Sequence, residues 1–196
     1  MNSAAIILAA GSSTRMGQSK QMLDVKGEKL LVTTIQTVLK AGITNTTVVL
    51  GADEESHRKI IRDLPVDIVY NKNWERGMGN SLKSGLASLI QKNPALEAIV
   101  VTVCDQPLMK PENITNLLAK YKETGKPVIA SRYSQMPGVP ALFDKSYFRK
   151  LALLPDDQGA KKIILQNKDD VCEVDFPGGE VDLDTMEDYE AFVKRW

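Results

Sequence analysis

Soft metal ligands are almost missing from this chain. Cys104 and Cys172 are its only cysteines and His57 is its only histidine. The three are scattered, no Cys-x-x-Cys occurs, and a zinc site of the usual ligand type cannot be assembled. Two distant thiols fit a reducing compartment. Charge of one sign is lacking too: 25 Lys and Arg meet 25 Asp and Glu, a net charge of zero. No long like-charge run offers a footprint for duplex nucleic acid or anionic lipid. No stretch approaches the roughly 18 apolar residues a membrane span needs. The apolar opening 4–10 lacks a basic flank and runs straight into Gly11-Ser12-Ser13-Thr14-Arg15, which suits a buried strand better than a signal peptide. A cytoplasmic chain is expected, with no nucleic acid and no membrane as partner. A small phosphorylated ligand, held by a few placed cations and backbone amides, is still allowed.

What is present is ordinary globular material: 196 residues, 43% hydrophobic and 26% charged, enough for one domain (1–196) with a real core. Apolar runs at 4–9, 47–50, 68–70 and 98–103 are continuous rather than alternating, as in parallel strands covered on both faces. Between them fall helical stripes: Leu30, Leu31, Ile35, Val38 and Leu39; then Ile60, Ile61 and Leu64; then Leu82, Leu86, Leu89 and Ile90; then Ile114, Leu117, Leu118 and Tyr121. Strand alternating with helix predicts an α/β fold, a mostly parallel central sheet with helices on both faces. After a fifth strand at 128–130 the rhythm loosens, and Pro137-Gly138-Val139-Pro140 reads as a loop. Helices are expected at 146–154 and 160–166, strands at 171–174 and 181–183. A last helix starts near Thr185, where Thr185-Met186-Glu187-Asp188 fits a capping box.

Three segments carry chemistry. Leu8-Ala9-Ala10-Gly11-Ser12-Ser13-Thr14-Arg15-Met16-Gly17-Gln18-Ser19-Lys20 follows the first strand. Its small residues let backbone amides approach an anion, and Arg15 and Lys20 supply balancing charge. It is not a P-loop, because five residues separate Gly11 from Gly17, and not a Rossmann fingerprint, because position 13 is Ser. Cys104-Asp105-Gln106-Pro107 ends the fourth strand, where open α/β sheets bind ligands. Asp105 there is a loop organiser or a ligand of Mg²⁺, a hard cation that takes one or two carboxylates beside a triphosphate. Asp182 or Asp184 offers the second carboxylate; the competing role is a helix cap for Asp184 and simple solvation for Asp182. In Trp74-Glu75-Arg76-Gly77-Met78-Gly79-Asn80-Ser81 the serine suits a base edge or ribose as well as it suits a helix N-cap. His57 lies outside every motif and reads as a solvated helix residue. Cys104 reads as a small strand-end residue with no partner base, not a nucleophile.

In order and spacing, Leu-Ala-Ala-Gly-x-Ser-x-Arg-Met-Gly-x-x-Lys, Gly-x-x-x-Ser-Leu-x-x-Gly and Cys-Asp-Gln-Pro resemble the molybdenum cofactor nucleotidyltransferases of the MobA-like NTP transferase superfamily, on their cytidylyl branch. The resemblance continues through Gly138-Val139-Pro140, Asp157-Gln158-Gly159 and Asp182-Leu183-Asp184-Thr185. It implies a Rossmann-like nucleotidyltransferase domain that transfers CMP from CTP to the terminal phosphate of molybdopterin and releases pyrophosphate, with Mg²⁺ as cofactor. A molybdoenzyme or its chaperone is implied as a further partner. Leu8, Ala9, Ala10, Gly11, Ser12, Gly17, Gly79 and Ser81 would bind the nucleotide. Arg15, Lys20 and Asp105 would serve the reaction, and Asp105, Asp184 and Asp182 would face the metal. Gly138, Pro140, Asp157 and Gly159 would meet the acceptor, so that residues to about 110 handle nucleotide and the remainder handle acceptor. Two positions depart from the cytidylyl pattern, both in that second half. Val139 stands where many members have His in Gly-His-Pro, and Asp156-Asp157-Gln158-Gly159 replaces Gly-Asp-x-Gly. A guanylyltransferase, a sugar-phosphate nucleotidyltransferase and a nucleotide sensor without turnover remain the alternatives.

Overall fold

The apolar runs assemble side by side. In the computed structural model, which describes residues 1–195, the chain forms β1 (Ser3–Ala9), the short pair β2 (Asp24–Val25) and β3 (Glu28–Lys29), α1 (Leu30–Lys40), β4 (Thr46–Leu50), α2 (Glu54–Ile61), β5 (Asp67–Tyr70) and α3 (Met78–Lys92). It continues with β6 (Ala98–Val103), α4 (Pro111–Thr124), β7 (Val128–Tyr133), β8 (Met136–Asp144), α5 (Phe148–Ala152), α6 (Ala160–Gln166), β9 (Val171–Asp175) and α7 (Met186–Arg195). A seven-stranded sheet runs β5-β4-β1-β6-β8-β7-β9. Its pairs are parallel except where β8 lies antiparallel between β6 and β7. This is the expected Rossmann-like α/β architecture.

β1 is covered on both faces, which is why its residues are apolar without alternation. Ala4, Ile6 and Leu8 face Leu82, Leu86 and Leu89 of α3, with α5 and α6 beyond. Ala5, Ile7 and Ala9 point the other way, to Leu31, Ile35 and Val38 of α1 and to α4. A Cβ on Gly85 would stand 2.8 Å from Val49 and 2.9 Å from Ile6, so the glycine lets α3 lie close on the sheet. That approach carries the start of α3 to the C-terminal ends of β1 and β4. Met16, Leu23, Val25, Leu30, Leu183 and Phe192 form a separate apolar cluster, which docks α7 and the segment before it onto the loop that follows β1. Among the described residues no helix is long and apolar enough to cross a membrane.

Three local expectations are corrected. Residues 137–140 are not a loop: they belong to β8, paired with β7. The prolines are tolerated because pairing of β8 with β6 covers only 141–144, so the β6 side of 136–140 needs no N–H for a ladder. Residues 181–183 form no strand; the Val181 amide closes a local turn on the Gly178 carbonyl (3.1 Å), the Leu183 amide donates to the Asp105 carbonyl (3.0 Å), and the Leu183 side chain sits in its apolar cluster. His57 is not solvated. It is fully buried on α2, facing the loop after β1. The capping box does form: the Asp188 carboxylate accepts from the Thr185 amide (2.9 Å), and Thr185 Oγ1 accepts from the Asp188 amide (3.2 Å).

Candidate active site

The connection after β1 leads to β4 on one side, and only after β5 and α3 does the chain return to add β6 on the other. Such a reversal leaves a crevice at the carboxyl ends of the two central strands. A cleft of about 290 Å³ opens there, walled by Leu8 to Ser12 from the end of β1, Lys20 and Gln21 from the following loop, and Val103, Cys104 and Asp105 from the end of β6. Trp74, Glu75, Gly77, Met78 and Ser81 close the opposite side. The loop folds back on itself through a turn over Thr14–Met16, ended by Gly17 at φ 72°, in the left-handed region that glycine occupies without strain.

Four charged residues from three remote parts of the chain meet at the rim. Lys20 Nζ donates to Asp105 Oδ2 at 2.8 Å and to Asp184 Oδ1 at 2.9 Å, while Arg15 Nη2 donates to Asp184 Oδ2 at 2.9 Å. Burial alone would lower the Lys20 ammonium, but Asp105 and then Asp184 outweigh it and hold its pKa above the ordinary lysine value. The Lys20 hydrogen bond holds the Asp184 carboxyl below the usual range, with help from Arg15. Thr185, not Asp184, caps α7, so the capping role for Asp184 is excluded. Asp182 forms no ion pair in this group. Desolvation, then the neighbouring charges of Asp105 and Asp184, push its carboxyl up to about 6. Burial, and next Asp105, push the Cys104 thiol up to about 12, the state of an inert strand-end thiol.

Among the described residues no three His, Cys, Asp or Glu side chains converge into a ready cage for a metal. Asp105 and Asp184 instead form a pair of hard oxygen donors already bridged by a cation, the Lys20 ammonium. Two carboxylates with room for water and phosphate oxygens fit a divalent ion of the magnesium type, which rarely takes an all-protein cage.

Ser81 lies one turn inside α3 and is not its N-cap, a position held by Gly77. It is buried, and its hydroxyl accepts from Asn71 Nδ2 at 3.0 Å, which leaves its own proton for a ligand acceptor. Gly79 does not line the cleft. Its missing side chain makes room for the segment 155–158, since a Cβ would stand 2.2 Å from the Pro155 carbonyl. Asp157 in that segment is exposed; its neighbour Asp156 takes the ion pairs, with Lys83 at 2.5 Å and Arg76 at 2.7 Å. Gly159 packs under Met78, where a Cβ would come 2.7 Å from the sulfur. Gly138 is covered by Tyr133, whose hydroxyl would stand 2.3 Å from a Cβ there, and the Pro140 carbonyl accepts from Ser131 Oγ at 2.7 Å. Burial, then the charge of Asp182, raises the Tyr133 phenol, so this corner adjoins the carboxylates. Gly138, Pro140, Asp157 and Gly159 thus sit around the cleft without lining it. Gln21, Trp74 and Glu75 do line it, although the motifs assigned them no role: Gln21 simply follows Lys20, and Trp74 and Glu75 open the segment that carries Ser81.

Residues 5–171 match the family model of the MobA-like NTP transferase domain. The chain is similar over most of its length to the purine catabolism protein PucB of Bacillus subtilis, 27% identical over 97% of this chain and 95% of that protein. Nicotine blue oxidoreductase of Paenarthrobacter nicotinovorans is 28% identical over 93% and 92%. Molybdenum cofactor cytidylyltransferase of Escherichia coli is 24% identical over 97% and 95%. The crystal structure of Rv0371c from Mycobacterium tuberculosis superposes with a TM-score of 0.86 at 27% identity, covering 99% of this chain and 98% of that one, and the same protein has a structure in complex with manganese. With the loop after β1 and Asp105 both inside the matched span, the chain belongs to the MobA-like NTP transferase family and is a nucleotidyltransferase.

Proposed function

We propose that this nucleotidyltransferase moves CMP from CTP to the terminal phosphate of molybdopterin, with Mg²⁺ as cofactor. The observation that carries the reading is the Lys20 bridge between Asp105 and Asp184 at the rim of the cleft. Simple nucleotide binding has no need of two carboxylates beside the phosphates. Bound magnesium would supply positive charge to the triphosphate as the pyrophosphate leaves. The protein's task is alignment and neutralisation. A phosphate monoester, with a second pKa of about 6, is largely dianionic at neutral pH and needs no general base. Its oxygen forms a bond to the α-phosphorus while the bond from that phosphorus to the bridging oxygen of the leaving pyrophosphate breaks. Lys20 and Arg15 would stabilise the charge that moves onto the leaving group.

Cytosine is favoured by Ala10. Its side chain is buried at the cleft wall, and its carbonyl accepts from the Ala52 amide at 3.1 Å, so the methyl cannot withdraw from a larger base. The second half of the chain, from about residue 111, would present the acceptor beside Tyr133 and Asp182. Molybdenum cofactor cytidylyltransferase of E. coli aligns with 97% of this chain, which supports the reading. Pyrophosphate release with each of CTP, GTP, ATP and UTP, with and without molybdopterin, tests the reading. Release restricted to CTP plus molybdopterin supports it; equal or better use of GTP removes the cytidylyl assignment and keeps the nucleotidyltransferase one.

A further inference from the structure

His57 is a buried histidine with no part in the chemistry above, and its surroundings form a chain of hydrogen bonds that ends on the loop after β1. Gln21 is 1% exposed, and its Nε2 donates to the Ala9 carbonyl at 3.0 Å and to the Gly11 carbonyl at 3.1 Å. Two carbonyl acceptors fix the amide's orientation, so Oε1 faces the other way. There it accepts from Ser19 Oγ at 2.8 Å and, at the longer distance of 3.4 Å, from Ser13 Oγ. Ser13 Oγ also accepts from the Lys20 amide at 3.0 Å. A serine hydroxyl has a single proton, and Ser19 has given its proton to Gln21. The 2.6 Å contact between Ser19 Oγ and His57 Nε2 must therefore have His57 donating. This assigns the neutral Nε2–H tautomer and leaves Nδ1 bare, in agreement with its being buried without a partner.

We infer that His57 and Gln21 are positioning residues for the nucleotide: His57 on α2 orients Ser19, Ser19 orients the Gln21 amide, and that amide clamps the Ala9 and Gly11 carbonyls so that the intervening loop is held in its binding shape. The inference rests on the reading of the cleft as a nucleotide site. The clamp acts on the two loop carbonyls on either side of Ala10, the residue placed at the base. It also ties the loop to Lys20 through Ser13. Loss of the clamp leaves every group that would touch the phosphates in the chain but no longer fixed relative to the others. Since the loop would hold the nucleotide equally before and during the reaction, the loss should appear in nucleotide affinity and KM more than in kcat.

Calorimetric titration with CTP, GTP, ATP and UTP in the presence of Mg²⁺, run beside steady-state kinetics and thermal melting on the full chain, tests this. Gln21→Met keeps the length of the side chain without its donors, and it should weaken CTP binding and raise KM about tenfold or more with kcat within about twofold. His57→Phe should weaken binding in the same direction. His57→Gln places an amide N–H near the former Nε2–H and should restore affinity to within about twofold of the original, whereas His57→Asn, with its amide at the δ position, should not. Gln21→Met and His57→Phe variants that bind CTP as the original does, whether or not they melt earlier, would overturn the positioning role. Equal rescue by Asn and Gln would overturn the assigned direction of donation. Should the unaltered protein bind none of the four nucleotides, the nucleotide reading of the cleft fails and the inference fails with it; binding by the original that the variants match sinks the inference alone.

Discussion

Asp105 and Asp184 are 79 positions apart in the chain, yet one ammonium holds both. Asn in place of Asp105 keeps the size and most hydrogen bonding but loses the anion. Magnesium-dependent turnover should fall by about a hundredfold or more while melting is little changed. Asp184→Asn should behave alike, because Thr185 already caps α7, and Asp182→Asn should be milder, because that carboxylate makes no bond to Lys20 or Arg15. Rates measured against Mg²⁺ concentration separate the three. Lys20→Ala should cost about 10² in kcat through lost charge stabilisation, read from single-turnover rates. At His57 the expectation concerns pH. Burial, opposed by Asp53 and Glu54, lowers its folded pKa from 6.5, so the unfolded chain binds its proton more readily. The stability this gives is present above the unfolded value and is lost as pH falls below it. The melting temperature should drop between pH 7 and 5, and that component should vanish in His57→Gln; melting curves with the same slope for both proteins would contradict it. The burial of His57 is not legible in the sequence, since a lone histidine among Glu54, Glu55 and Arg58 has the neighbours of a surface helix. Its hydrogen-bond partner, Ser19, comes from the loop after β1, 38 positions away in sequence.

At the scale of elements, the sequence made legible whatever depends on period. The continuous runs of β1 and β6 and the stripes of α1, α3 and α4 lie where their apolar spacing puts them. What it hid depends on partners. Prolines at 137 and 140 signal a break by local rules, and they sit in a strand only because β6 has stopped pairing on that side. The alternation at 181–183 mimics a strand, but the segment makes no ladder: one amide closes a turn on Gly178 and another reaches Asp105. Ser81 had the composition of a cap and lies inside the helix because Gly77 begins it. Two changes test these placements. Gly79→Ala forces a Cβ against the Pro155 carbonyl, and a backbone neighbour cannot rotate away. Overpacking of this kind costs about 1–3 kcal/mol, to be read from denaturant midpoints. Thr185→Ala should cost about 1 kcal/mol through the lost cap, with the Lys20–Asp184 contact loosened as α7 frays.

For the molecule as a whole, the fold and the rim of the cleft were legible together, because a mostly parallel sheet puts its loops at one edge and the order of motifs then fixes which loops face each other. Arg15, Lys20, Asp105 and Asp184 converge as expected from that edge. The acceptor half was less legible. Gly138, Gly159 and Gly79 matter by giving room to Tyr133, Met78 and the 155–158 segment, and a glycine in sequence does not say which neighbour needs the space. On the proposed function, the cleft transfers a nucleotide with its two bridged carboxylates at work. Pyrophosphate release from CTP in the presence of molybdopterin and Mg²⁺, measured for the original protein and for Asp105→Asn at matched folding stability, tests it most directly. Steady release by the original and a loss of about a hundredfold or more in the variant are expected; release by the variant at the original rate, with the same dependence on Mg²⁺, would rule out the catalytic role of the carboxylate pair.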